Sequence, residues 1–261
     1  VYVIGTEVPV PGGATESIEG LAVTTPDAAL ATIQAHRDAF LAAGLDAAWE
    51  RVIASVVQPG VEFDHHQVVD YVPEKATALS QAIEAVPGMV FEAHSTDYQT
   101  RDALAALVRD HFAILKVGPG LTFALREALW ALDAIEREWI APDARAGLRE
   151  TAIGRMRAEP KYWQRYYHSQ GHQLAIDLDY SLSDRIRYYW PDAVIEAARE
   201  RLFANLRARP APISLVSQYL PHALAELRNG LVGNDPHDLA VAHVISVLND
   251  YHSACSTAND H

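Results

Sequence analysis

In the first half of this 261-residue chain, side chains suited to acid–base and metal chemistry gather directly behind short apolar runs. Glu7 follows Tyr2–Ile4, and Glu62, Asp64, His65 and His66 follow Val52–Val57. His94, Asp97 and Tyr98 follow Met89–Ala93, and Lys116 lies within Ala113–Val117. A carboxylate and an imidazole are ligand types for a divalent metal such as zinc. Glu7 and His94 are therefore the candidate metal pair, meeting across a common rim if their strands lie two apart. The plainer alternative has Glu7 bracing the Pro-rich loop and His94 capping the next helix. The Glu62–His66 cluster could bind metal or substrate but matches no metal-ligand spacing, and such a cluster is more often a hydrogen-bonded loop at a helix entrance.

Lys116 is a candidate catalytic residue together with Glu7. It interrupts the apolar run Phe112-Ala113-Ile114-Leu115-Lys116-Val117 and is expected to point into the sheet's ligand-facing side or its rim. A buried lysine sheds its proton readily, as Schiff-base chemistry requires, while a fixed ammonium holds phosphate or carboxylate. A lysine neutralised by a neighbouring glutamate fits the same pattern. Next comes Gly118-Pro119-Gly120-Leu121-Thr122, leading into a helix whose N-terminus suits phosphate, with Gly118 and Gly120 as candidate contacts. Arg185 and Arg187, interleaved with Tyr188, Tyr189 and Trp190, either bind a phosphate or a partner, or stack to anchor the C-terminal part. Arg126 and Glu127 read as solvated charges on a helix surface.

The elements that must position these groups alternate in type. Each apolar run is short and rich in β-branched residues, as strands buried on both faces are. Helices are expected over Pro26–Ala43, Glu74–Val86, from Thr100 and over Thr122–Trp139, with Thr25 capping the first and Pro26 at its first position. Four strand–helix units imply a parallel sheet with right-handed crossovers. That is half of a (β/α)8 barrel of the TIM type, in which ligand-facing groups sit at the carboxyl ends of the strands. The expected organisation is thus residues 1–140 as four barrel units and 141–261 as a helical extension. In the latter, helices are expected over Ala144–Arg157, Asp192–Arg207, Pro221–Arg228 and His237–Ser253, and a short strand at Ile213–Val216.

The net charge of −13 argues against nucleic acid or an anionic membrane as partner. It leaves phosphorylated ligands open, since a few local cations suffice. The single cysteine, Cys255, cannot close an internal disulfide and fits the cytoplasm. The 261 residues carry no signal-peptide pattern and no apolar run long enough to cross a bilayer. The chain opens on a strand-like run without an initiator Met, and the expectation is a fragment cut inside a domain.

Several long stretches resemble a known family. They are Tyr2–Gly13 (YVIGTEVPVPGG), Val57–His65 (VQPGVEFDH), Phe91–Thr100 (FEAHSTDYQT), Asp110–Pro119 (DHFAILKVGP), Ser183–Pro191 (SDRIRYYWP) and Ser217–Pro221 (SQYLP). Together they are similar to the non-catalytic subunit of class II D-tagatose-1,6-bisphosphate aldolase (GatZ/KbaZ), which serves the galactitol and N-acetylgalactosamine pathways. The resemblance implies a barrel and a cytoplasmic location. It also implies a zinc-dependent catalytic partner subunit that cleaves tagatose 1,6-bisphosphate into dihydroxyacetone phosphate and glyceraldehyde 3-phosphate. The chain is implied to support that partner without performing the cleavage. Some similar proteins carry the name tagatose-6-phosphate kinase, yet neither a P-loop nor a kinase-type Gly-rich loop occurs here. Relatives have four further strand–helix units ahead of the position of Tyr2. Either a longer natural chain or self-association of two copies is therefore expected to close the wall and cover the edge strands. The alternative is a self-sufficient, metal-dependent sugar or sugar-phosphate epimerase or aldolase using Glu7, His94 and Lys116.

Overall fold

A computed structural model describes residues 1–6, 13–14 and 21–257. Glu7, the expected catalytic and metal-binding carboxylate, lies outside the described residues. The chain divides into two compact units, Val1–Gly118 with Asp250–His261, and Pro119–Asn249.

The first unit is built on a parallel four-stranded sheet. Its strands are β1 (Tyr2–Ile4), β2 (Val52–Val57), β5 (Val90–Ala93) and β6 (Ile114–Leu115), in the order β1-β2-β5-β6. All four expected strands form, and each lies beside its predecessor in the expected sequence. A small antiparallel hairpin, β3 (Glu62–Phe63) and β4 (Val68–Val69), grows from the loop after β2. Helices α1 (Pro26–Ala42), α2 (Asp46–Trp49), α3 (Pro73–Ile83) and α4 (Arg101–Arg109) connect the strands. Thr25 caps α1 and Thr100 caps α4, each hydroxyl accepting a first-turn amide, as the sequence requires.

The two faces of this sheet differ. Ile4, Val57, Phe91 and Ala93 are buried and cluster with Ala29 and Ile33 of α1, Leu79 and Ile83 of α3, and Leu104 and Leu107 of α4. Residues paired across the other face, Val56 with Glu92 and Glu92 with Ile114, are only half-buried, as is Val90. Val3 on the edge strand is 40% exposed. The helices thus cover one face, and the other carries a half-open apolar surface interrupted by Glu92.

The second unit is helical. It contains α5 (Pro119–Trp139), α6 (Leu148–Ala158), α7 (Gly171–Tyr180), α8 (Ala193–Ala208), α9 (Ile213–Tyr219), α10 (Leu224–Arg228) and most of α11 (Pro236–Thr257). Its core includes Leu132, Ile135, Leu148, Met156, Leu178, Ile186 and Leu202, all nearly fully buried. The expected strand at Ile213–Val216 is instead the start of α9. Pro212, extended, stands at its N-cap, and Val216 alone of the helix is buried, so Val216 serves helix packing while Ile213 stays exposed. The helix α5, foreseen as part of the fourth barrel unit, packs within this second unit. No helix among the described residues is long and apolar enough to cross a membrane.

Candidate functional site

The polar groups behind the strands do assemble at the carboxyl end of the sheet, and local chemistry explains how. Gln58 turns the chain after β2, its Oε1 accepting from the amides of Gly60 (2.8 Å) and Val61 (3.0 Å). Glu62 follows in β3 and folds its own Oε1 back onto the Phe63 amide at 3.0 Å. Burial holds the Glu62 carboxyl above the usual carboxylate range, with the Asp97 charge adding to the effect. The Phe63 amide and the Ser95 side chain act against it. Asp64 makes the hairpin turn by accepting from the amides of His66 (2.7 Å) and Gln67 (2.8 Å). The loop reading of this cluster therefore describes Asp64.

Residues 94–99 form the central rim loop. Its conformation comes from a bulge where β5 meets β6. The Lys116 amide donates to Ala93 O at 3.0 Å, which sets Lys116 beside His94 in parallel register. The Lys116 carbonyl then accepts from Thr96 (3.3 Å) rather than Ser95, leaving Ser95 as the extra residue at φ 57°. Tyr98 is also left-handed, at φ 65°. Two non-glycine residues with positive φ in one short loop are costly and persist only where surrounding contacts enforce them. Those contacts are present. Asp97, buried, accepts from the Gly118 amide at 2.8 Å. Thr96 Oγ1 donates to Lys116 O at 2.8 Å, and Tyr251 donates to Thr96 O at 2.8 Å. Gln99 accepts from the Tyr71 amide and donates to Val69 O, tying the hairpin to the loop.

His94 does not cap the next helix; Thr100 does that. Its ring is 91% buried, and Nε2 pairs with Glu92 Oε1 at 2.6 Å. Nδ1 is buried without a hydrogen-bond partner. Glu92 fixes the ring orientation, as a carboxylate hydrogen-bonded to the far nitrogen fixes a metal-bound histidine. Among the described residues, however, no group of three or more His, Cys, Asp or Glu gathers to hold an ion, so we derive no step through a metal. Lys116 stands at the rim, one of its two expected places, and is exposed, which fits the fixed-cation alternative better than the buried lysine of Schiff-base chemistry. It follows directly on Leu115, the last residue of β6, at the carboxyl end of the sheet.

The remaining candidates have other work in the structure. The Gly118 amide is taken by Asp97, and Gly120 is buried in the first turn of α5. In the second unit Arg185 is buried, its Nε donating to Tyr162 O, and its guanidinium stacks 3.3 Å from the centroid of Tyr166. Arg187 donates to the Ser183 and Asp184 carbonyls and lies over Tyr188. Both arginines brace the run Ser183–Tyr189, as the anchoring alternative holds.

Sequence reasoning missed two features. Glu92 sits inside a strand and received no role, although alternation places it on the face of His94. Arg126, expected on the surface, is buried and forms an ion pair with Asp184 at 3.5 Å. Thr122 donates to the same carboxylate at 2.5 Å. Burial pushes the Asp184 carboxyl up to about 6, against the opposing pull of Thr122, Arg126 and Arg187.

Residues 1–256 match the family model of D-tagatose-1,6-bisphosphate aldolase subunit GatZ/KbaZ-like proteins. The chain belongs to that family. Among solved structures it is similar to a probable tagatose 6 phosphate kinase from Sinorhizobium meliloti 1021, with 48% identity and a TM-score of 0.89. The match covers 98% of this chain and 62% of that one, so this GatZ/KbaZ-like chain spans less than two thirds of its relative.

Proposed function

We propose that this chain is a supporting, non-catalytic subunit of a class II D-tagatose-1,6-bisphosphate aldolase, acting in galactitol and N-acetylgalactosamine breakdown in the cytoplasm. The observation that carries the reading is the family match over residues 1–256, nearly the whole chain. The four parallel strands, covered by helices on one face and half-open on the other, fit the C-terminal half of a (β/α)8 wall, whose inner face is closed by the other half. The zinc and the carbon–carbon cleavage belong, on this reading, to a catalytic partner subunit. The test is to add this chain to a purified zinc-dependent tagatose-bisphosphate aldolase subunit and follow release of dihydroxyacetone phosphate. Specific activity is expected to rise several-fold and to saturate near one chain per catalytic subunit. Activity independent of added chain would refute the reading.

A second reading, a sugar or sugar-phosphate epimerase or aldolase in its own right, is favoured by one observation. Glu92, His94 and Lys116 form a polar row on the half-open face of the sheet, where a wall serving packing alone would be apolar throughout. Conversion of D-tagatose or its 6-phosphate by the chain without any partner tests it, and no conversion would end it.

A further inference from the structure

We propose that Glu92, held by His94, and Lys116 form a proton-transfer site for a small α-hydroxy ketone, the carboxylate acting as base and the ammonium holding the developing oxyanion. The inference rests on the second reading above and assigns it a place and a step.

The placement follows from strand register. Glu92 pairs with Ile114, and Lys116 stands beside His94, so all three polar side chains emerge on one face. Directly opposed residues on neighbouring strands lie about 5 Å apart, and diagonal neighbours about 7–8 Å. An extended lysine reaches across the diagonal, so its ammonium and the Glu92 carboxylate can flank one small ligand.

The chemistry follows from which atoms are occupied. Glu92 Oε1 is taken by His94, while Oε2 is not among the buried atoms lacking a partner and has no hydrogen bond among the described residues. One carboxylate oxygen is thus positioned by the imidazole and the other is open. The half-buried Glu92 side chain, 15% exposed, is fixed where a mobile surface carboxylate would not be. Lys116 is exposed and makes no ion pair among the described residues, so its ammonium is available. His94 acts through Glu92 and is a positioning residue. The two left-handed residues, Ser95 and Tyr98, lie in the loop directly after this row, where backbone strain commonly marks a functional site.

The step balances within the site. Glu92 Oε2 takes the proton from the carbon that bears the hydroxyl and adjoins the carbonyl. The C–H electron pair becomes the carbon–carbon double bond of an enediolate, and the former carbonyl oxygen carries the charge against Lys116. Return of a proton from Glu92 restores the ketone, with the hydrogen exchanged for one from solvent. Nothing is oxidised or reduced.

The experiment uses the full chain with dihydroxyacetone phosphate as probe, in D2O, and proton NMR to follow loss of the hydroxymethyl C–H signal. Wild type is expected to exchange well above buffer. Glu92→Gln and Lys116→Met should each slow exchange by about a hundredfold or more, the range of general-base and oxyanion contributions. His94→Leu should lower kcat with little change in KM and shift the pH profile of exchange, with His94→Asn restoring part of the rate. Because Lys116 is exposed, its variant keeps the fold, verified by an unchanged thermal midpoint. Equal exchange by wild type, Glu92→Gln and Lys116→Met would overturn this site while leaving the second reading standing. Exchange by wild type at the buffer rate would overturn the site outright, and tagatose conversion would then judge the second reading separately.

Discussion

At the scale of single residues, burial and partnership decide what each charged group does, and the buried pair of the second unit makes the point most sharply. Asp184 is held up to about 6, above an unfolded value of 3.8. The native state therefore binds this proton more tightly than the unfolded chain, and the contribution to stability is greatest below pH 4 and falls as pH rises to about 6. Carboxylates drawn down by arginine, Asp192 beside Arg155 and Asp235 beside Arg207, act in the opposite sense: their contribution is full above about pH 4 and is lost only as pH falls below that. The windows separate the two effects. Thermal unfolding of wild type and Asp184→Asn at pH 4.5, 6 and 7 should show the difference between them changing by roughly 1–3 kcal/mol, in the direction of relatively greater wild-type stability at pH 4.5. A difference that does not vary with pH would contradict the assignment. None of this was legible in sequence, because Arg126 on a helix among leucines looks like any solvated arginine until Asp184, far along the chain, folds against it.

Elements were more legible than side chains, for a physical reason. A strand within a parallel sheet needs a short apolar, β-branched run, and a helix start needs a cap, and both are local. The runs of β1, β2, β5 and β6 and the caps Thr25 and Thr100 accordingly stand where the residues place them. Thr100→Ala should cost about 1 kcal/mol in denaturant unfolding, with Thr100→Ser nearly neutral. The hairpin β3–β4 escaped notice because two-residue strands carry no pattern of their own, and Gln99, on a distant loop, fixes them. The helix α9 was misread because Ile and Val are strand residues by propensity, and tertiary packing of Val216 overrides that preference. At the β1–β2 contact a Cβ on Gly5 would lie 2.8 Å from Val56 Cβ. Gly5→Ala should therefore destabilise by about 1–3 kcal/mol, and Val56→Gly introduced alongside it, which removes the clashing Cβ, should recover part of the loss. Additive losses in the double variant would show that the two side chains do not meet.

At the scale of the whole molecule, the rim was partly legible. Placing parallel strands side by side guarantees that whatever follows them shares one end, so the sequence alone brings His94, Asp97, Glu62 and Lys116 to a common rim. What each does there depends on a bulge at Ser95 and on the exposure of Lys116, neither of which a linear pattern encodes. The family of this chain is the support for the proposed supporting role. The most direct measurement is the half-life at 37 °C of a zinc-dependent tagatose-bisphosphate aldolase subunit, alone and mixed with this chain. A half-life lengthened several-fold by the chain, and restored to its short value when the chain is omitted, is the predicted result. Identical decay in the two samples would contradict it.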